Sequence, residues 1–429
     1  MIYVSTFLSY SSADSVLVQS VADELAKRGI LVWLDKNELE PGKSITEALD
    51  KAIKEQSTVT IFLSEKALES PWVEQELKTT LEIEEKIEHK EMIIPVFIGD
   101  PLELVKSKTL LSNRWLHCDG DRVDINYITV NEKKSVSINA REIAQQVASR
   151  IYSQLKISEQ NEIIIYLDQR GIGKRREKPE NIPQFVQRIN APILVFRPDH
   201  AERSRGEVLS EPGWEGFRDT IFNAISDSCK IVTWSDSKTI RIMGHAQLGI
   251  PFIMGQIFDR SSSADLYCYP KKGVPFTNRG QYRNGPLKAG NPNCEKINSE
   301  VTPIPVSSVL ESISLYLGKK DFINDVLRYL KANPNSPSLV WIESGDFENS
   351  EEVMNYIADV VAVLQKYKDN NGVHSIQLFC TLPFHMIPLL SANLLHVVRN
   401  VIFMEYAREA GTDKELYIAL KTLSQNKKI

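Results

Sequence analysis

Trp72 and Glu76 stand four positions apart in the run Ser70-Pro71-Trp72-Val73-Glu74-Gln75-Glu76-Leu77 of this 429-residue chain. Residues at that spacing share one face of a helix. An indole there can stack on a flat ring while the carboxylate reaches a sugar joined to that ring. A carboxylate so placed stabilises the positive charge of an oxocarbenium-like state, as in glycoside cleavage. Each residue also has a plainer reading. Glu76 sits on an acidic stretch with Glu74, Glu82, Glu84, Glu85 and Glu88, where a solvated carboxylate is the ordinary case, and Trp72 alone is more often a packing residue.

The elements that must hold this pair alternate short apolar runs with amphipathic helices, the pattern of α/β folds with parallel sheets. Strands are expected at Tyr3–Ser9, Ile30–Asp35, Thr58–Ser64, Met92–Gly99 and Arg114–Cys118. Leu17, Val21 and Leu25 recur at helical spacing, and Gly29 supplies the stop. A second helix is expected from Ser44-Ile45-Thr46-Glu47, which fits a capping box. A third starts at Ser70-Pro71, an N-cap followed by proline at the first helical position. A helix from about Ala140 to Leu155 closes the region. Ligands of open α/β sheets bind beyond the carboxyl ends of the strands. Ser9-Tyr10-Ser11, Asp35 and the loop after Ser64 fall at such ends.

Three segments of this region resemble the TIR family: Phe7-Leu8-Ser9-Tyr10-Ser11-Ser12-Ala13-Asp14, Trp33-Leu34-Asp35 with Leu39-Glu40-Pro41-Gly42-Lys43-Ser44-Ile45, and the Trp72–Glu76 helix. The resemblance implies a flavodoxin-like domain over residues 1–155 that cleaves the nicotinamide–ribose bond of NAD⁺. It makes Glu76 catalytic and places Ser9, Tyr10, Ser11, Asp35, Lys43 and Trp72 at the substrate. Asp35 either ends its strand or supports the loop or the ribose. Nicotinamide departs as a neutral base, so one carboxylate can suffice. Capture by water gives ADP-ribose and capture by the adenine ring gives a cyclic product; both outcomes stay open. Glu38-Leu39-Glu40-Pro41-Gly42-Lys43 is either an ordinary surface loop or, as in the family, a contact to a neighbouring TIR domain.

After a short polar linker at 156–161 the chain becomes α/β again. Thr239–Met243 leads through Gly244-His245-Ala246 to Ile250-Pro251-Phe252-Ile253, and Ile376–Cys380 leads through Thr381-Leu382-Pro383 to Ile387-Pro388-Leu389-Leu390. Each unit ends in another strand, Leu266–Tyr269 and Val401–Glu405, and Ile163–Asp168 is matched with Leu339–Glu343. Two strand–turn–helix units can also resemble each other by coincidence. Lys271–Pro305, rich in Gly, Pro and Asn, reads as a long irregular excursion.

The segments Ile240-Arg241-Ile242-Met243-Gly244-His245-Ala246-Gln247-Leu248, Phe252-Ile253-Met254-Gly255 and Ile376–Pro383 resemble the SAVED domain, a fusion of two CARF-like Rossmann halves. That resemblance implies a domain over 162–429, with halves near 162–305 and 306–429. It would bind a cyclic oligonucleotide, with cyclic triadenylate leading, made by a partner nucleotidyltransferase in bacterial CBASS anti-phage defence. Helix N-termini after the two turns attract phosphate. Gly244, His245, Gln247, Thr381 and Leu382 are the candidate ligand positions, joined by Arg170 and Arg197 after strand-like runs. A strand-end histidine is more often a satisfied structural residue, and surface arginines are usually only solvated. The combined expectation is an NAD⁺ glycohydrolase switched on by ligand-driven homo-oligomers or filaments, since a head-to-tail contact need not close. A non-catalytic TIR scaffold that recruits another effector is the alternative; a nucleotide-cleaving C-terminal half is a third.

Composition bounds these readings. A hydrophobic share of 42%, a charged share of 25% and a net charge of −5 fit a globular protein of two or three domains with no global field for long nucleic acid. Cys118, Cys229, Cys268, Cys294 and Cys380 are scattered and odd in number, which argues against a disulfide framework or a zinc site. Free thiols, no metal, no cofactor beyond the substrate, no membrane span and a cytoplasmic location are expected.

Overall fold

A computed structural model describes residues 2–34, 58–86, 92–168, 188–189, 191–197, 218–220, 222–224, 238–258, 264–270, 273–278, 290–296, 309–394, 396–408 and 415–422. The chain forms two compact units. The first comprises Met1–Gln160, Gly173–His200 and Asp227–Cys229; the second comprises Asn161–Ile172, Ala201–Ser226 and Lys230–Ile429.

In the first unit the opening apolar run divides at Val4. Ile2–Tyr3 (β1) pairs in parallel with Pro192–Phe196 (β8). Ser5–Ser9 (β2) instead enters a five-stranded parallel sheet with Leu31–Leu34 (β3), Thr58–Leu63 (β4), Ile93–Phe97 (β5) and Ile128–Thr129 (β6), in the order β3-β2-β4-β5-β6. β2 and β4 are buried at every position, as parallel strands covered on both faces must be. Ser15–Ala26 (α1) buries Val18, Val21, Ala22, Leu25 and Ala26. It stops at Gly29, whose φ of +81° suits glycine and where a Cβ would come 3.0 Å from the Phe196 ring.

On the other part of this sheet lie Glu65–Leu68 (α2) and Pro71–Lys86 (α3). Val73, Leu77 and Leu81, spaced at the helical repeat, pack into a core with Phe7, Ile61, Leu63 and Phe97. Pro101–Lys106 (α4) is capped by Asp100, which accepts from the Glu103 N–H at 3.0 Å. Arg114–Cys118, expected as the fifth strand, is not one. Thr109–Trp115 is a helix (α5), and the fifth strand is β6. Leu111 and Trp115, both buried and four apart, give this stretch a helical apolar face that outweighs its short apolar run. Val136–Gln154 (α6) closes the unit, starting four residues earlier than expected because Ser135 caps it through Ile138 N–H. Tyr152 Oη donates to the Arg28 carbonyl at the end of α1. The helix expected from Ser44 lies outside the described residues.

The second unit holds two sheets with one strand plan. Glu162–Asp168 (β7), Thr239–His245 (β9) and Asp265–Cys268 (β10) run parallel, with Phe276–Thr277 (β11) antiparallel beyond β10. Gly249–Ile257 (α7) follows β9. In the other half Ser312–Gly318 (β12), Ser375–Cys380 (β14) and Asn400–Arg408 (β15) run parallel, with Glu415–Lys421 (β16) antiparallel beyond β15. Leu339–Glu343 (β13) flanks β12. Registers agree as well as order: Ile163, Ile240 and Leu266 align across one sheet as Ile313, Ile376 and Val401 do across the other.

This duplication corrects one expected match. The counterpart of Ile163–Asp168 is Ser312–Gly318, and Leu339–Glu343 is its neighbour. Serines at 312 and 314 interrupt the apolar run of β12 and conceal a central strand from composition. Ile323–Ala332 (α8) and Ser350–Asn371 (α9) cover the second sheet; α9 is capped by Asn349 and ended by Gly372 at φ +78°. Ile387–Leu394 (α10) is buried throughout, like α7, and the two helices touch at Gly255. A Cβ there would lie 1.9 Å from Ser391 Oγ and 2.1 Å from the Pro388 carbonyl oxygen, so only glycine permits this approach. Among the described residues no helix is long and apolar enough to cross a membrane.

Candidate active site

The carboxyl ends of the adjacent strands β2 and β4 open into two loops that are tied together. Ser9, the last residue of β2, is fully buried, and its Oγ has no hydrogen-bond partner among the described residues. Tyr10 is buried beside it. Ser11 Oγ accepts from Ala13 N–H at 3.4 Å and starts the short turn Ser12–Asp14. Asp14 then accepts a 2.7 Å hydrogen bond from Ser64 Oγ, while Ser64 Oγ accepts from Ala67 N–H at 3.0 Å and caps α2. Burial pushes the Asp14 carboxyl above its ordinary range, and the Ser64 hydroxyl works against that shift. Asp14 was visible in the sequence only as the end of a box; its partner is fifty residues away, and no local pattern reveals the tie.

Trp72 lies in the first turn of α3 and Glu76 in the next. Glu76 is 0% exposed, whereas Glu74 and Glu82 on the same helix are exposed. Burial therefore separates Glu76 from the solvated glutamates that composition could not distinguish from it. Thr80 Oγ1 donates to the Glu76 carbonyl at 2.7 Å, inside the helix. Glu84, also buried, holds structure together: its carboxylate accepts from Ile93 N–H at 2.9 Å and sits 3.4 Å from Arg114. Asp35 and Lys43 lie outside the described residues.

Residues 6–129 match the family model of the TIR domain. The first unit carries a TIR domain. The chain is 34% identical over 108 residues to the NAD(+) hydrolase TirS of Staphylococcus aureus, covering 25% of this chain and 38% of TirS. It is 27% identical over 135 residues to the NAD(+) hydrolase TcpA of a Theionarchaea archaeon, covering 30% of this chain and 40% of TcpA. The chain thus spans well under half the length of these curated relatives. Among solved structures it is similar to the Acinetobacter baumannii Cap4 SAVED/CARF-domain containing receptor with the cyclic trinucleotide 2′3′3′-cAAA. The TM-score is 0.43 and the identity 13%, over 78% of this chain and 82% of that one.

Beyond the TIR domain, the two strand-to-helix turns of the second unit hold equivalent positions. Gly244, next to last in β9, has φ +115°, and a Cβ there would strike the Leu167 carbonyl oxygen at 2.0 Å. His245 follows, exposed, with Gln247 half-buried. Register places Thr381 where His245 stands in the other half. Thr381 is exposed, its Oγ1 lies 3.2 Å from Tyr316 Oη, and Gly318 leaves the space it fills. Leu382 is buried in the core. Arg197 is buried in the first unit, where its N–H donates to the Ala26 carbonyl at 3.0 Å, so it does not belong to the unit that carries these turns. Arg170 lies outside the described residues.

The N-terminus of α7, expected to be open to phosphate, is already occupied by a carboxyl group. Glu405 of β15 accepts from Gly249 N–H at 2.8 Å and Leu248 N–H at 3.2 Å. One further donor group, His117, Cys118 and Asp119, gathers on an exposed hairpin of the TIR domain.

Proposed function

We propose that the chain is an NAD⁺ glycohydrolase whose TIR domain is switched on by a cyclic oligonucleotide bound in the second unit. The observation that carries the enzymatic part is the complete burial of Glu76 on a helix where Glu74 and Glu82 are exposed and the other buried glutamate, Glu84, is taken up by Ile93 N–H and Arg114. Withdrawing a carboxylate from water is costly, and such groups concentrate at functional sites. In a water-poor site its charge also acts more strongly on a developing cation.

The reaction assigned to it breaks the C1′–N bond between ribose and nicotinamide. Both bonding electrons leave with nicotinamide, which departs neutral, and positive charge spreads over C1′ and the ring oxygen. Glu76 stabilises that charge from its fixed place on α3. Water adds at C1′ and releases a proton to solvent, giving ADP-ribose. Trp72, one turn earlier, stacks on the flat base, and the tied loops at Ser9–Ser11 and Ser64 form the floor beyond the strand ends. Distant similarity of the TIR domain to NAD(+) hydrolases supports this assignment.

A fully buried Glu76 is also a reason for gating, because NAD⁺ reaches it only after the surrounding chain rearranges. The duplicated strand plan of the second unit supports a sensor for a ligand with repeated parts: two turns at matched register present His245 and Thr381. A cyclic oligonucleotide, cyclic triadenylate first, fits such a pair, and its binding assembles copies so that neighbouring TIR domains complete the site.

The test is nicotinamide release from NAD⁺ by the full chain, across a panel of cyclic di- and trinucleotides, with light scattering followed in parallel. Release with one member, lost in Glu76→Ala while assembly persists, is the expected result. Assembly without release for every member would replace this reading by a scaffold.

A further inference from the structure

Helix α7 begins without a side-chain cap of its own: Leu248 occupies the N-cap position and supplies no hydrogen bond. Its first amides are satisfied from the other half of the duplicated unit. Glu405 on β15, 7% exposed, spans them with both carboxylate oxygens, Oε1 to Leu248 N–H and Oε2 to Gly249 N–H. Paired amides at a helix N-terminus are where a phosphate would bind. Here the protein's own carboxylate sits in that position, immediately after the turn that carries Gly244, His245 and Gln247.

The arrangement is one-sided. Register aligns Leu266 of β10 with Val401 of β15, so the position equivalent to Glu405 in the first half is Pro270. Proline bears neither charge nor acceptor on its side chain. The duplication therefore supplies a tie from the second half to the first and none through the equivalent residue in return. Phe252 of α7 also lies against Phe403 of β15 with ring centroids 5.1 Å apart, and Gln256 Nε2 of α7 donates to Thr422 Oγ1, just past β16, at 3.1 Å.

We propose that Glu405 is a positioning residue that presets the ligand turn of the first half from the second half, by holding the amides that a ligand phosphate would otherwise engage. Recognition at this turn then falls to the side chains of His245 and Gln247, and both halves must keep their mutual arrangement for either to bind well. The inference rests on the sensor reading above and specifies how that site is built.

The experiment compares the full chain with Glu405→Ala and Glu405→Gln in two measurements: deuterium exchange at the Leu248 and Gly249 amides, and calorimetric titration with cyclic triadenylate. Alanine removes both acceptors, whereas glutamine keeps one acceptor oxygen without the charge. Exchange at the two amides is expected to rise about tenfold or more in Glu405→Ala, and nucleotide affinity to fall by a similar factor. Glu405→Gln is expected to recover most of both. Unchanged exchange in Glu405→Ala overturns the proposal, and so does tighter or unchanged nucleotide binding once the amides are freed. A wild-type chain that binds no cyclic triadenylate sinks that choice of ligand, and exchange at the amides then decides the tie by itself.

Discussion

Asp14 and Ser64 are joined by a 2.7 Å hydrogen bond that ties the loop after β2 to the loop after β4. Ser64 meanwhile caps α2, which leads directly into the helix bearing Trp72 and Glu76. One hydroxyl thus fixes the relation between the strand-end loops and the start of the helix bearing Trp72 and Glu76. Ser64→Ala should destabilise the TIR domain by about 1–2 kcal/mol, the loss of a cap together with a partly buried hydrogen bond. Urea unfolding of the full chain measures this; a change below a few tenths would show that the tie contributes nothing.

Glu76→Gln should abolish nicotinamide release, with a fall of at least about a hundredfold, because the neutral amide offers no charge to the oxocarbenium-like state. The fold should persist, since the amide preserves the shape of the side chain and keeps one acceptor oxygen. Paired rate and thermal-melt measurements check both halves of the statement. Retained turnover would move catalysis to another residue.

Burial raises the Glu405 carboxyl from an ordinary glutamate value of 4.5 to about 7, with the Gly249 and Leu248 N–H groups opposing the shift. A folded-state value above the unfolded one means that the folded chain holds the extra proton. The stability this contributes is complete below about pH 4.5 and is lost as pH rises through 7. His385, stacked on Phe276 at 4.8 Å, is pushed by burial down to about 4 from 6.5. Its contribution runs the other way, present above 6.5 and lost as pH falls toward 4. The difference between wild type and Glu405→Gln cancels the histidine. Melting temperatures from pH 5 to pH 8 should show wild type losing ground to the variant as pH rises. A flat difference would contradict the assignment.

Gly255→Ala should cost about 3 kcal/mol or more, because a methyl group at α7 meets the α10 backbone at Pro388 as well as the Ser391 hydroxyl. Backbone cannot turn aside as a flexible side chain does. Limited proteolysis and thermal unfolding of the second unit report the loss; a neutral result would mean that the two helices separate easily.

Much of the TIR domain was readable from order alone. Gly29 as a stop, Pro71 as a helix start, and the buried strands at 58–63 and 93–97 follow from backbone preferences and apolar runs that act over a few residues. Reading failed where competing local signals were close, as at Arg114–Cys118, and where polar residues diluted a strand, as at Ser312–Gly318. The opening strand looked continuous, but its first residues serve one sheet and the rest another.

The sequence by itself determined the α/β alternation, the TIR boxes and the position of Trp72 and Glu76 on one helix, because periodicity and capping are local physics. Only the tertiary structure decided which glutamates of an acidic helix are withdrawn from water, and which carboxyl occupies the start of α7. Burial depends on what packs over a residue, and Glu405 reaches Gly249 across 156 positions. No pattern within a helical turn or a strand pair carries that information.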